Sequence, residues 1–408
     1  MKFEAPPGTH DVLAKDWPHW ERIVREATRL CTLYGYRPIA TPVFEDTDLF
    51  ARTSGQGSDV VQKEMYTFVD RGDRSLTLRP EGTAPIARAY VQHGLHREPQ
   101  PQKLFTIVPM YRYARPQRGR YREHWHLSVE AIGSADPAVD AELVQLYDTL
   151  LATLGVADYR LELNSIGDRN CRPQYVEALV AWLDAHDSEL DEEAREKRKT
   201  TPLRVFDVKN EDVRAALADA PKIDAYLCED CRAHFQAVRE ALDAYGVRYE
   251  VVPTLVRGLD YYTRTTWEFV GPEGGAQSSI SGGGRYDYLV EEIGGPSTPG
   301  VGFGAGIERL HFALGDAPAE AQGIDVFFSW SEETNRTRML ACMAELRRRG
   351  LSADTDYAGR SAKGQLTQAE RLRAAVTVFA GAEAATVRRK GATDEEVSYD
   401  ELVERLSR

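Results

Sequence analysis

The chain has 408 residues, of which 42% are hydrophobic and 28% charged, and its net charge is −13. That length exceeds one compact core and predicts two or three domains, while the composition excludes a disordered or fibrous chain. The acidic balance argues against a chain-wide nucleic-acid surface, yet residues 323–408 carry as many basic as acidic side chains, so the whole deficit lies in 1–322.

The opening MKFEAPPGTHDVL lacks the apolar segment of a signal peptide, and no apolar run approaches membrane-spanning length. Five widely scattered cysteines fit a reducing compartment, so a cytoplasmic location is expected. A first helix is read from Trp20, Ile23, Val24, Ala27, Leu30, Cys31 and Tyr34 at helical spacing, stopped by Gly35. Arg37 to Glu45 is short, extended and proline-punctuated, as in a strand near an edge. Residues 76–94 read as a strand end running into a helix, with His93 and His96 at its surface. Residues 104–133 read as two strands joined by an arginine-rich turn. From 171 to 246 the texture turns helical and charged, as in an insertion, and β character returns at 248–290 with glycine clusters at 271–275 and 282–284. Residues 315–323 form a linker, followed by strand 324–329, helix 334–349, a strand, helix 361–373 and strand 375–380, the alternation of a small α/β domain.

Several segments carry candidate chemistry. Arg112 to Arg122, RYARPQRGRYR, interleaves five arginines with tyrosines, a composition suited to ATP or an RNA backbone; the plain alternative is a solvated basic hairpin. Glu81 and Thr83 beside a tight turn can hold a cationic amino group, although Thr83 also reads as a helix cap. Arg257-Gly-Leu-Asp-Tyr261-Tyr262 and Gly282-Gly-Gly-Arg285-Tyr286-Asp287 join arginine and aromatics to permissive backbone; in isolation both read equally as strand turns. Gly300-Val-Gly302-Phe-Gly304-Ala305 meets the loose dinucleotide pattern, but it closes a β-rich region instead of opening a βαβ unit. Glycines that let a strand pass close to a ligand, before a helix carrying Arg309, account for it better. Cys228-Glu-Asp-Cys231 hints at zinc, but no second ligand pair is visible: Cys171 stands alone and His234 adds one donor, so no tightly bound metal is expected. There is no P-loop and no nucleophile elbow.

In this order the segments resemble the class II aminoacyl-tRNA synthetases, specifically the histidine family. Pro7-Gly-Thr-His-Asp11 is similar to its N-terminal signature, Tyr36 to Glu45 to motif 1, and Pro109 to Gly133 to motif 2. Ser54 to Phe68 and Leu78 to Thr83 lie between these two motifs. Leu255 to Tyr262 resembles the histidine-specific block, and Gly302 to Leu310 motif 3. The resemblance covers nearly the whole chain. It implies an α+β catalytic domain with a mixed, mainly antiparallel sheet of the class II type (1–170 and 247–322), a helical insertion (171–246) and a C-terminal α/β anticodon-binding domain (323–408), anchored by Gly359-Arg-Ser361 and the Leu366–Ala369 helix. It also implies ATP-dependent loading of L-histidine onto tRNA(His) through a histidyl-adenylate, Mg²⁺ accompanying ATP, and a homodimer through the Pro42 region.

By the same resemblance Arg112 and Arg257 hold the α-phosphate from two sides and Arg309 contacts the triphosphate and adenine, making these three the catalytic candidates. His124 stacks on adenine. Glu81 and Thr83 hold the substrate's amino group; Glu130, Tyr262 and Tyr286 read the imidazole, with Tyr261 and His126 completing the histidine site. The chain departs from the family pattern at Ala114, where a glutamate usually meets adenine. It departs again at His124-Trp125-His126, where Phe-His-Gln is usual, and at Tyr288. Two other readings are weighed: a catalytically weak, synthetase-like histidine sensor or regulatory subunit of histidine biosynthesis, and an NAD-dependent oxidoreductase resting on the glycine pattern alone.

Overall fold

The computed structural model describes residues 3–53, 55, 58, 60–115, 119–271, 279–315, 323–330 and 333–407. Parts of the 54–59 block, the centre of the arginine-rich turn at 116–118, residues 272–278 with most of the first glycine cluster, and most of the 315–323 linker therefore lie outside the described residues. The chain forms two compact units, Met1–Ala317 and Pro318–Arg408.

The first unit begins with α1 (Trp17–Leu33), whose Trp20, Ile23, Ala27, Leu30 and Cys31 are buried on one face; Gly35, at φ +82°, ends it. Next come β1 (Arg37–Pro38), β2 (Phe44–Asp46), α2 (Thr47–Thr53), β3 (Tyr66–Val69), β4 (Ser75–Leu78) and α3 (Thr83–Gln92). The long hairpin β5 (Gln102–Tyr111) and β6 (Glu123–Ile132) leads to α4 (Pro137–Leu154). Asp136 caps α4 by accepting from Ala138 N at 2.9 Å, and Gly155 ends it. β7 (Arg160–Ser165) precedes the helices α5 (Arg172–Ala185), α6 (Glu192–Thr200), α7 (Glu211–Ala216) and α8 (Glu229–Tyr245). After them β8 (Glu250–Val251), β9 (Thr263–Val270), β10 (Ser279–Arg285), α9 (Leu289–Glu292), β11 (Gly300–Gly306) and α10 (Ile307–Ala313) complete the unit.

Eight strands form one sheet in the order β1-β5-β6-β11-β10-β9-β7-β8, parallel only at its two edges. The residue pattern assigns its faces. On β6, Leu127, Val129 and Ala131 enter the core, and on β11 Val301, Phe303 and Ala305 do the same, against α1 and the apolar side of α4. The alternate residues, His126, Ser128 and Glu130 on β6 and glycines on β11, face the other way. A core side chain such as Phe303, 2% exposed, is worth about 3–5 kcal/mol when truncated to alanine. A small sheet, β2-β4-β3, lies separately.

The charge run at 187–200 is resolved by α6. Asp191 caps its start, Glu192 and Glu193 occupy the first turn, and Lys197, Arg198 and Lys199 the last, matching the helix dipole. The 171–246 helices carry a hydrophobic cluster of their own, built on Tyr175, Leu179, Leu183, Val205, Val213 and Cys231. The dinucleotide-like glycine pattern falls inside β11, an antiparallel strand between β6 and β10, not in a strand-to-helix turn of a parallel unit. That geometry removes the NAD reading: α10 follows at Ile307, but the glycines lie within an antiparallel strand and not in the first turn of a parallel βαβ unit.

The second unit has the sheet order β13-β12-β14-β15-β16, formed by β12 (Val326–Ser329), β13 (Ala353–Thr355), β14 (Val376–Ala380), β15 (Ala384–Arg389) and β16 (Glu395–Ser398). β13, β12 and β14 are parallel and the rest antiparallel. The helices are α11 (Glu333–Arg348), α12 (Ala362–Arg371) and α13 (Tyr399–Leu406). The alternation read from sequence is present; β15, β16 and α13 extend it through a stretch dominated by charge.

Candidate active site

One cleft on the polar face of the large sheet gathers residues from α3, β6, α10 and the loops between elements. Glu81, Thr83, Arg112, His124, His126, Arg257, Tyr261, Tyr262 and Arg309 all line it. Glu130 and Tyr286 lie one layer beneath, buried in its floor.

The floor is a polar network. The Glu130 carboxyl accepts from the Thr83 hydroxyl at 2.7 Å and from the Tyr286 hydroxyl at 2.6 Å. Burial pushes its pKa up to about 8, against the partial relief of those two hydrogen bonds. Tyr286 thus holds Glu130 in place and does not itself face the cleft. The glycines of β11 make room for this layer: a Cβ at Gly302 would lie 1.8 Å from a Glu130 oxygen, and one at Gly304 2.2 Å from the His126 ring. These glycines therefore serve the approach of neighbouring side chains. Glu81 accepts from the backbone N–H of Thr83 at 2.7 Å and of Ala84 at 2.8 Å, so Glu81, not Thr83, caps α3. Each of its oxygens keeps a further lone pair. Tyr261 and Tyr262 pack ring to ring at 4.7 Å, and the Tyr261 hydroxyl reaches Thr83.

The cations stand on the other side. Arg112 is anchored through Nε to the Pro80 carbonyl at 2.7 Å, and Arg309 through Nε to Gly119 O at 3.1 Å and through Nη1 to Ser279 O. Arg257 pairs with Glu268 at 2.8 Å, while its buried Nε has no hydrogen-bond partner among the described residues. Burial, then the guanidinium groups of Arg112 and Arg120, lower the Arg309 pKa, with Glu268 opposing them. Burial, then Arg112 and Arg309, push His126 down to about 3 and hold His124 far below the usual imidazole range, so both rings are neutral. His126 Nδ1 is 3.0 Å from the Ser128 hydroxyl, and His124 Nδ1 is buried without a hydrogen-bond partner among the described residues. An anion placed among the three arginines would satisfy a cleft that already holds its carboxyl and imidazoles neutral.

The departures separate spatially. Ala114, His124 and His126 line the cleft. Trp125 points to the opposite face against Trp20, its N–H backbone held by Glu308 at 2.9 Å, and Tyr288 stacks under the Arg169 guanidinium at 3.4 Å. Sequence reasoning missed Arg120, which also lines the cleft and pairs with Glu64. Arg285, only flagged, proves structural: fully buried, it bonds Asp140 of α4 at 2.8 Å and His234 of α8 at 3.2 Å. The N-terminal signature packs on the motif 2 hairpin, with His10 and Tyr121 ring centroids 4.3 Å apart.

An antiparallel sheet bearing a motif 2 hairpin, a motif 3 strand and helix, and arginines from both around one cleft defines a class II aminoacyl-tRNA synthetase. A family model described as histidyl-tRNA synthetase matches residues 8–310, and the chain belongs to that family. It is 45% identical to the histidine–tRNA ligase of Halothermothrix orenii over 93% of this chain and 92% of that one. It is 45% identical to that of Desulforudis audaxviator over 100% and 99%. Among solved structures it is similar to apo histidyl-tRNA synthetase of S. aureus, with TM-score 0.84, 35% identity and full coverage of both chains. No helix among the described residues is long and apolar enough to cross a membrane.

Proposed function

We propose that the protein attaches L-histidine to tRNA(His) in two steps. In the first, the histidine carboxylate attacks the α-phosphate of ATP, supplied with its Mg²⁺, and diphosphate leaves. In the second, the 3′-hydroxyl of the terminal adenosine attacks the carbonyl of the histidyl-adenylate and AMP leaves. The observation that carries this reading is the division of the cleft into a crowded cationic side and a neutral, hydrogen-bonding side. Arg112 and Arg257 meet the α-phosphate and stabilise charge that builds there in the transition state, while Arg309 meets the triphosphate and adenine, with His124 stacked on the base. Glu81 and Thr83 take the amino group. Glu130 and the Tyr262 hydroxyl satisfy the two imidazole nitrogens, which disfavours apolar isosteres because their loss leaves buried polar groups unpaired. Tyr286 fixes Glu130, and Tyr261 and His126 border the substrate ring.

Residues 323–408 serve as the anticodon-binding domain. Supporting this, the exposed segment with Tyr357, Arg360 and Lys363 follows the carboxyl end of β13, beside that of parallel β12. Homodimerisation is proposed through the small sheet, where Val43, Phe44, Phe68 and Val69 stand exposed together near Pro42, more apolar surface than an isolated chain favours. Histidine-dependent exchange of pyrophosphate into ATP tests the reading. Exchange supports it; histidine binding without exchange would mark the sensor alternative and refute it.

A further inference from the structure

The fold assembles a second pair of ligands that the sequence conceals. Asp168-Arg-Asn-Cys171 lies in the turn between β7 and α5, and Cys228-Glu-Asp-Cys231 opens α8; the ligand atoms of all four residues lie within 4.8 Å of one another. Both pairs have the x₂ spacing of structural metal sites, and the second pair escapes a cysteine search because its first member is aspartate. Cys171 Sγ is 3.8 Å from Cys231 Sγ and 3.7 Å from Asp168 Oδ1. A tetrahedral zinc with sulfur at about 2.3 Å and oxygen at about 2.0 Å requires separations of about 3.8 and 3.5 Å, so the cluster is already near the geometry of a bound ion.

We propose that Asp168, Cys171, Cys228 and Cys231 bind one structural Zn²⁺ that fastens the helical insertion to the catalytic sheet. The surroundings fit. Asp168 is 1% exposed, its Oδ1 accepts from Asn170 N at 2.9 Å, and its backbone N–H points at Cys171 Sγ at 3.5 Å, contacts that orient ligands around a metal. Three thiolates and a carboxylate around Zn²⁺ carry a net charge of −2. Arg264, 3.5 Å from Asp168, and half-buried Arg172 stand beside them to offset it. Cys228 is only half-buried and provides a path of entry. Without an ion, the three thiols would offer one another and the Asp168 carboxylate only weak S–H donors, beside its contacts with Asn170 N–H and Arg264.

The location gives the ion its effect. Arg172 donates to the carbonyls of Ile166 at 2.9 Å, Gly167 at 2.9 Å and Tyr262 at 2.6 Å. The knuckle that holds Cys171 therefore also holds the backbone of Tyr262, which lines the histidine cleft. Zinc would close a loop from the sheet, through the starts of α5 and α8, back to that residue.

The full-length protein, produced with zinc in the medium and purified reduced, should contain about one zinc per chain by elemental mass spectrometry. Replacing zinc with Co²⁺ should give the strong sulfur-to-metal charge-transfer absorption of a tetrahedral thiolate site. Stripping zinc with a chelator should lower the thermal midpoint and raise the KM for histidine, and ZnCl₂ should restore both. Cys228→Ser, chosen because it is the least buried ligand, should weaken Zn²⁺ binding beyond the roughly 10–100-fold cost of losing a supporting group. If that variant does not fold, metal content and the Co²⁺ spectrum of the parent decide. Less than about a tenth of an equivalent of zinc without a charge-transfer band, unchanged affinity in Cys228→Ser, or a disulfide replacing two free thiols with no metal bound would each overturn the proposal.

Discussion

Glu130→Gln should stabilise the folded protein at alkaline pH while impairing its use of histidine. Burial raises the Glu130 pKa from 4.5 to about 8 in the folded state. A carboxyl whose folded pKa is raised holds its proton more tightly when folded. The stability tied to it is complete below pH 4.5 and is lost as pH climbs towards about 8. At about 1.4 kcal/mol per pKa unit the full loss has a ceiling of roughly 5 kcal/mol, and relaxation around the ionised group reduces what is realised to about 2–3 kcal/mol. Glutamine cannot ionise and is nearly isosteric, so it removes this loss. His126, lowered to about 3, and Glu308, raised to about 7, also titrate nearby, but both remain in parent and variant and cancel in the difference.

The assay is thermal unfolding of parent and Glu130→Gln from pH 5 to 8.5 without substrate. The variant's advantage should widen with pH, reaching roughly 3–6 °C at the alkaline end. In pyrophosphate exchange the same variant should show a KM for histidine at least about tenfold higher, with the KM for ATP within about twofold, because Glu130 lies on the side of the cleft away from the arginines. A stability difference that stays constant across that pH range would mean that Glu130 is already ionised when folded, and the account of the neutral floor would fail.

Arg257→Ala should reduce adenylate formation at least about a hundredfold while weakening histidine binding much less, as measured by exchange kinetics and calorimetry; near-normal exchange would remove Arg257 from the chemistry. Light scattering at micromolar concentration should give about 91 kDa, twice the 45.7 kDa chain, and a fully active monomer would refute the proposed dimer. Deleting residues 318–408, the second compact unit, should spare histidine-dependent exchange and severely impair tRNA charging, with residual charging falling steeply with salt. Loss of both activities in parallel would assign that unit a stabilising role.

The legible part of the sequence was the part whose chemistry is local. The β5–β6 hairpin and α1 follow from periodicity and turn residues, whereas α4 was not read; Arg112, Arg257 and Arg309 stand in short strings that keep their spacing in the cleft. The face of β6 was less legible: His126, Ser128 and Glu130 alternate with core residues, but their surroundings come from α3, β11 and the Tyr286 turn. No local pattern predicts that Glu130 is held neutral. The pairing of the C-terminal arginines was not legible in composition. Arg348 and Arg349 pair with Glu345, Arg360 with Asp356, Arg388 with Asp394 and Arg389 with Glu395, so most of their charge is internally matched.

The insertion shows why the remainder was hidden. A helical segment with a small core of its own needs fastening where it leaves and rejoins the sheet, and the groups that do this are far apart in sequence. On one side Arg285 of β10 ties Asp140 of α4 to His234 of α8. On the other, Cys171 meets Cys231 across 60 residues. Each residue looks isolated along the chain: one arginine in a glycine block, one histidine on a helix, one cysteine without a partner. His234 is therefore not a spare ligand for Cys228 and Cys231, since Asp140 already holds it. Tyr262 is tied to the cysteine side through Arg172, and Tyr286 directly follows Arg285 in the chain. The two fasteners of the insertion thus adjoin two aromatic residues of the histidine site, so displacement of the insertion at either one would reach the substrate pocket.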